Sequence, residues 1–193
     1  MVTYRGRLIV AITFATNRLL IRRFNTEDWK ALYEYLSDPL VVKYENYSIK
    51  SEEECQTISN SFSKSKDYWA ICLVDTNMLI GHIFLGEAGP FFLSIGCVIN
   101  RSFHRQGYAA EAVQSILEYA FIVEKAHRVD AISDSRNIPS WRYLEYLGFK
   151  REGCLREHVT RECNQFGKPI WIDSYIYSML EYEWKEKYNG ALR

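Results

Sequence analysis

Apolar residues at Ala109, Ala112, Val113, Ile116, Leu117, Ala120 and Phe121 recur at intervals of three and four, with Glu111, Gln114, Ser115 and Glu118 on the other face. That spacing predicts an amphipathic helix starting at Ala109. Before it lies a short turn, Arg105-Gln106-Gly107-Tyr108, and before the turn an apolar run, Phe91 to Ile99, that predicts a strand. Strand, small-residue turn and helix start in succession aim backbone N–H groups at one point, where the positive end of the helix dipole also lies. Such a place is an anion cradle, best suited to phosphate. On its own the stretch reads equally well as an ordinary strand-to-helix turn with a glycine in it.

The same patterns divide the rest of the chain. Arg18 to Phe24 predicts a first strand, Asn25-Thr26 a cap, and Glu27 to Leu36 a helix stopped by Asp38-Pro39. Ser51 with Glu54 three residues on forms a capping box that opens a helix to about Ser63. Tyr68–Val74 and Leu79–Leu85 predict a hairpin across Asp75-Thr76-Asn77. Beyond the main helix, Arg128 to Ser133 predicts a strand and Pro139 to Leu147 a short helix ending at Gly148, with more strand from Phe149. Leu155 to Cys163 and Ile170 to Glu181 form a last hairpin around the loop Asn164 to Pro169. The order describes a mixed α/β domain on one central sheet.

Composition narrows the partners. Lys+Arg 24 against Asp+Glu 24 leaves no net field to recruit nucleic acid or an anionic membrane. Aromatic residues make up 15%, which suits a lined pocket or an interface as well as a core. The five cysteines, Cys55, Cys72, Cys97, Cys154 and Cys163, are an odd count without C-x-x-C spacing, and fit free thiols in the cytoplasm. The histidines, His82, His104, His127 and His158, lack ligand spacing, so no metal is expected and they read as structural or surface residues. Leu8 to Ala15 after Arg5 and Arg7 superficially resembles a signal peptide, but it is short and lacks a cleavage site, so residues 1–16 read as an arm or extra strand. Residues 17–186 then form the domain and 187–193 a tail.

His104-Arg105-Gln106-Gly107-Tyr108-Ala109-Ala110-Glu111 after a strand, Asn137 to Ser140 as N-x-x-S, and Leu147-Gly148-Phe149 together resemble the GNAT acyltransferases. Thr16 to Arg22 (T-x-R-L-x-I-R), Ile80-Gly81, Glu152 to Glu157, and Gly167-Lys168 followed by Asp173 and Tyr177 are similar to the Rim-type branch, which acetylates ribosomal-protein N-termini. The resemblance runs from Thr16 to Trp184. It implies a mostly antiparallel twisted sheet of six to seven strands, splayed at the cofactor site and flanked by about four helices. It also implies an acetyl-CoA-dependent N-acetyltransferase, working without metal by direct transfer in a ternary complex.

By that resemblance, amides from Arg105, Gln106, Gly107, Tyr108, Ala109 and Ala110 hold the pyrophosphate, and Cys97, Val98 and Ile99 the pantetheine arm; one N–H of that strand also polarises the thioester. Arg105 reads either as a fork on phosphate or as a solvated arginine. Cys97, with no histidine beside it, reads as an inert buried thiol. His104 departs from the family's Gln, Arg or Trp, and Leu144 stands where many members carry an acidic tyrosine. Ser140 is implied as the acid that protonates the leaving thiolate, with a helix cap as its other reading, and Asn137 as a cofactor contact or local structure. The branch's base, a glutamate after L-G-F, falls at Val159 here; Glu157 is the nearest replacement, with Glu162 and Asp173 as other carboxylates. The acceptor is a protein N-terminal α-amine, with a small amine such as a polyamine, antibiotic or amino acid as the alternative; a non-catalytic acyl-CoA sensor is a third reading. The branch is often dimeric, and Tyr175-Ile176-Tyr177 suits an interface between copies.

Overall fold

The computed structural model describes residues 3–4, 7–8 and 13–189. The chain forms two compact units, Met1–Lys43 with Tyr47–Gly86 and Cys97–Ser115, and Tyr44–Asn46 with Glu87–Gly96 and Ile116–Arg193.

In the first unit, Thr3–Tyr4 (β1) and Arg7–Leu8 (β2) make a two-residue ladder, and Phe14–Ala15 (β3) pairs with Leu19–Arg22 (β4). The rest of the expected N-terminal arm lies outside the described residues. Asn25 caps a 3-10 turn, Thr26–Asp28, that leads into Trp29–Leu36 (α1), and Asp28 returns the bond to the Asn25 N–H. Proline did not simply stop this helix. Pro39 occupies the first turn of a four-residue helix, Pro39–Val42 (α2), capped by Asp38, because its missing N–H costs nothing there. Glu52–Lys64 (α3) opens with the capping box read from Ser51 and Glu54.

Tyr68–Leu73 (β5) and Leu79–Gly89 (β6) continue the antiparallel run β3-β4-β5-β6. Phe92–Ile99 (β7) follows. A Cβ at Gly81 would lie 2.3 Å from the Val98 carbonyl oxygen, so only glycine admits β7 there. Leu32, Tyr35 and Leu36 of α1 pack with Phe24, Ala70, Cys72, Leu79 and Val98 in one buried cluster. Each of these larger side chains contributes about 1.5–3 kcal/mol by leaving water. Tyr108–Ile122 (α4) starts one residue before the apolar spacing suggested.

In the second unit, Arg128–Asp134 (β8) runs parallel to β7 over three rungs, from Phe92↔Arg128 to Ser94↔Asp130. Ile138–Leu147 (α5) ends on Gly148, whose φ of 95° satisfies the expected left-handed cap. Lys150–Cys163 (β9) and Pro169–Leu180 (β10) form the long hairpin, giving the order β7-β8-β10-β9. The expected extension of β10 through Glu181 is instead a helical turn, Glu181–Trp184 (α6), followed by a π-helical segment, Lys185–Asn189. The Tyr188 hydroxyl donates to the Leu147 carbonyl at 2.7 Å, pinning the end of α5. Tyr177 is fully buried and hydrogen-bonded to Arg151 and Glu145, which removes it from the surface proposed for an interface.

The fold is mixed α/β and mostly antiparallel, with eight strands from β3 to β10 and six α-helices among the described residues, rather than six to seven and four. Beyond the seven expected strands and four expected helices, the additions are the edge strand β3 and the helical turns α2 and α6. No helix among the described residues is long and apolar enough to cross a membrane.

Candidate active site

The cradle lies in the first unit. β7 ends at Ile99, and the Asn100 side chain accepts from the Ser102 N–H to cap a 3-10 turn, Arg101–Phe103. His104 folds back, its Nε2–H donating to the Ile99 carbonyl at 2.8 Å, so the side chain that departs from the family pattern serves the loop's own structure. Arg105 and Gly107 both adopt positive φ, 60° and 83°. Left-handed residues alternating with right-handed ones turn successive N–H groups into one concavity. The backbone N–H groups of Arg105, Gln106, Gly107 and Tyr108 find no acceptor among the described residues. For a non-glycine such as Arg105 this conformation stores strain, which is commonest at ligand-binding turns.

A latch holds the loop from behind. Arg18 Nη1 donates to the Gln106 carbonyl at 2.9 Å, its Nε donates to Glu111 Oε2 at 2.7 Å, and its guanidinium carbon sits 4.4 Å from the centre of the Tyr108 ring. The Arg18 backbone N–H and the Thr16 hydroxyl donate to the other oxygen of Glu111 at 3.1 and 2.5 Å. Burial pushes the Glu111 carboxyl up, but these bonds outweigh it and hold the group below the usual carboxylate range. The Gln106 carbonyl is thereby committed to Arg18. Cys97 is half-buried at the end of β7, where a buried thiol was expected, and Val98 and Ile99 are buried.

A second group of site residues lies in the other unit, around a cavity of about 180 Å³. Asp134 ends β8, Asn137 and Ser140 stand at the start of α5, His158, Val159 and Arg161 come from β9, Ser174 from β10, and Glu45 from the segment before α3. Asn137 caps α5, its side chain accepting from the Ser140 N–H at 3.3 Å. Ser140 is therefore not the cap. Its backbone serves the helix while the residue lines the cavity. Leu144 is buried in the core and takes no part in this wall.

Arg161 organises the cavity, donating to Asp134 at 2.6 Å, to the Glu45 carbonyl at 2.7 Å and to the Asn46 side chain at 3.1 Å. Burial pushes the Asp134 carboxyl up, yet bonds from Arg136 and Arg161 hold it below the usual range. Burial pushes the Glu45 carboxyl up as well, and the charge of Arg161 offsets this only in part.

Glu157 is elsewhere. Opposite Asp173, β9 carries three residues, Arg156, Glu157 and His158, because the register jumps between Ile172↔Val159 and Ser174↔Leu155. Glu157 sits on this bulge at φ 50°, exposed, and its N–H donates to Asp173 Oδ1 at 2.8 Å. Both residues line a second hollow of about 930 Å³, which shares only His158 with the cavity around Ser140. Asp173 thus holds the bulge, and Ser140 and Glu157 do not share a cavity.

A family model for the acetyltransferase (GNAT) domain matches residues 18–150. The chain belongs to the GNAT acetyltransferase family. The acetyltransferase is 39% identical over 171 residues to the uncharacterized N-acetyltransferase YnaD of Bacillus subtilis, covering 88% of this chain and 97% of that one. It is 30% identical over 182 residues to the uncharacterized N-acetyltransferase p20 of Bacillus licheniformis, with 89% and 98% covered. A GNAT-family acetyltransferase from Bacillus anthracis superposes with a TM-score of 0.78 at 34% identity, over 89% of this chain and 99% of that one. The enzyme's sequence signalled the cradle and Ser140 through local motifs. It gave no signal for His158, which reaches the cavity through a bulge, or for Ser174 on β10.

Proposed function

We propose that this acetyltransferase moves acetyl from acetyl-CoA to the α-amine of a protein N-terminus, ribosomal proteins among the acceptors, by direct transfer in the cytoplasm. The observation that carries the cofactor part is the latched loop: two left-handed residues at a helix start, with backbone N–H groups and a helix dipole available to a pyrophosphate. Arg105, Gln106, Gly107, Tyr108, Ala109 and Ala110 hold the phosphates, Cys97, Val98 and Ile99 the pantetheine, and Asn137 contributes a cofactor contact. The Ser140 hydroxyl protonates the departing thiolate.

The size of the cavity supports this acceptor class. A cavity of about 180 Å³ is smaller than the roughly 300–1,000 Å³ that enclose a drug-sized ligand. It suits the tip of a chain whose remainder stays outside. An α-amine, with a pKa of about 7.7–8.0, also needs less help to lose its proton than a lysine does.

Incubation with acetyl-CoA and peptides blocked or free at the N-terminus, followed by mass spectrometry, tests this. Acetyl found on free α-amines and absent from blocked, lysine-containing peptides is the expected result. Acetylation of polyamines or aminoglycosides alone would move the substrate to small amines, and acetyl-CoA binding without product over the whole panel would indicate a sensor.

A further inference from the structure

We propose that His158 takes the proton from the acceptor amine and that Ser174 holds the ring for this task, an assignment that rests on the transferase reading above. The bulge in β9 places it. In a regular strand side chains alternate faces. Here three residues face Asp173 alone, Glu157 is left-handed, and its N–H is tied to the Asp173 carboxylate. A bulge of this kind re-aims the neighbouring side chain, and the next residue, His158, lines the cavity with Ser140 and Asn137.

His158 Nδ1 lies 3.1 Å from the hydroxyl of Ser174, which is itself 2% exposed and therefore a fixed partner. With Nδ1–H donating to that oxygen, the neutral ring keeps its lone pair on Nε2, the form a base requires. The cavity's other titratable residues are Tyr44, Glu45, Asp134 and Arg161, and both carboxylates stand next to arginine. Asp134 is held between Arg136 and Arg161, and Glu45 lies beside Arg161. The titratable and charged groups that line the same hollows as His158 are Cys154, Arg156, Glu157 and Arg161 on its own strand, Asp173 on β10, Asp134 on β8, and Tyr44 and Glu45 from the segment before α3.

In the step itself the neutral amine forms the C–N bond to the thioester carbonyl carbon and gives one proton to His158 Nε2. The C–S bond breaks with its electron pair on sulfur, which takes a proton from the Ser140 hydroxyl. Water then carries the proton from His158 back to Ser140, leaving amide and free thiol as the products.

The test measures thiol release from acetyl-CoA with a free N-terminal peptide, across pH, for wild type, His158→Gln, His158→Ala and Ser174→Ala. The expected loss in His158→Gln is about 10²-fold or more in kcat/KM for the peptide, the range of general base catalysis, with acetyl-CoA binding unchanged. The acid-side limb of the wild-type pH profile disappears, added imidazole restores part of the rate of His158→Ala, and Ser174→Ala loses less than either. Variants as fast as wild type, or slow ones that keep its pH profile and ignore imidazole, overturn the assignment while leaving the transferase standing. A wild type that releases no thiol with any amine overturns both.

Discussion

His82 shows how far a single buried side chain can set the enzyme's response to pH. Its Nδ1 is hydrogen-bonded to the Tyr35 hydroxyl at 2.9 Å inside the first unit, and burial lowers its pKa from 6.5 to about 4. The folded protein thus keeps the ring neutral while the unfolded chain protonates it below 6.5, so stability is lost as pH falls through that interval. The expected loss is about 3 kcal/mol at full development, read as a falling Tm between neutral pH and pH near 4. A His82→Leu variant should lose that slope; an unchanged slope would assign the acid sensitivity to carboxylates. Gly107 is as sensitive to its surroundings. Its φ of 83° and a Cβ position 3.3 Å from Arg18 Nη2 make Gly107→Ala strained and close to the latch, costing about 1 kcal/mol of stability and weakening acetyl-CoA binding in titration calorimetry. Residues of this kind were legible because glycine and a helix start leave a local signature. His158 was not, since its place depends on a register jump that no local pattern announces.

At the scale of elements, the latch joins the start of β4 to the first turn of α4 through Arg18, Thr16 and Glu111. It gives the T-x-R opening of the sequence a mechanical part: it fixes the carbonyl of Gln106 so that the loop's N–H groups keep one direction. Glu111→Gln should raise KM for acetyl-CoA about tenfold, near 1.4 kcal/mol, with little change in kcat, because the damage falls on binding. A fall in kcat at unchanged KM would contradict that division. The strands β4 to β10, α3 and α5 were readable from apolar patterns, the Ser51 capping box and Gly148. The four-residue helices α2 and α6 escaped, because a single turn carries too few positions to show a period, and Pro39 was read as a stop where it in fact starts a helix.

For the molecule as a whole, Arg161 carries more than its own strand. It joins β9 to the end of β8 and to the Glu45-Asn46 segment, with the Asp134 side chain fully buried between Arg136 and Arg161. Arg161→Met leaves that carboxylate with one arginine, and should cost about 3 kcal/mol in denaturant unfolding. Because the pKa of Asp134 is held below its usual value, this stabilisation is present above the unfolded value and fades as pH falls through the folded one, so the wild type and variant should converge in acid. Binding adds to stability by mass action, about 2.7 kcal/mol at a hundredfold excess over Kd, so acetyl-CoA should raise the Tm of wild type more than that of Gly107→Ala. The most direct measurement of transfer is thiol release from acetyl-CoA, with and without N-terminal peptides, by wild type and Ser140→Ala. Acceptor-dependent release that drops about 10²-fold in the variant while acetyl-CoA still binds is the predicted result, and release independent of any amine, or unaltered in Ser140→Ala, would contradict it.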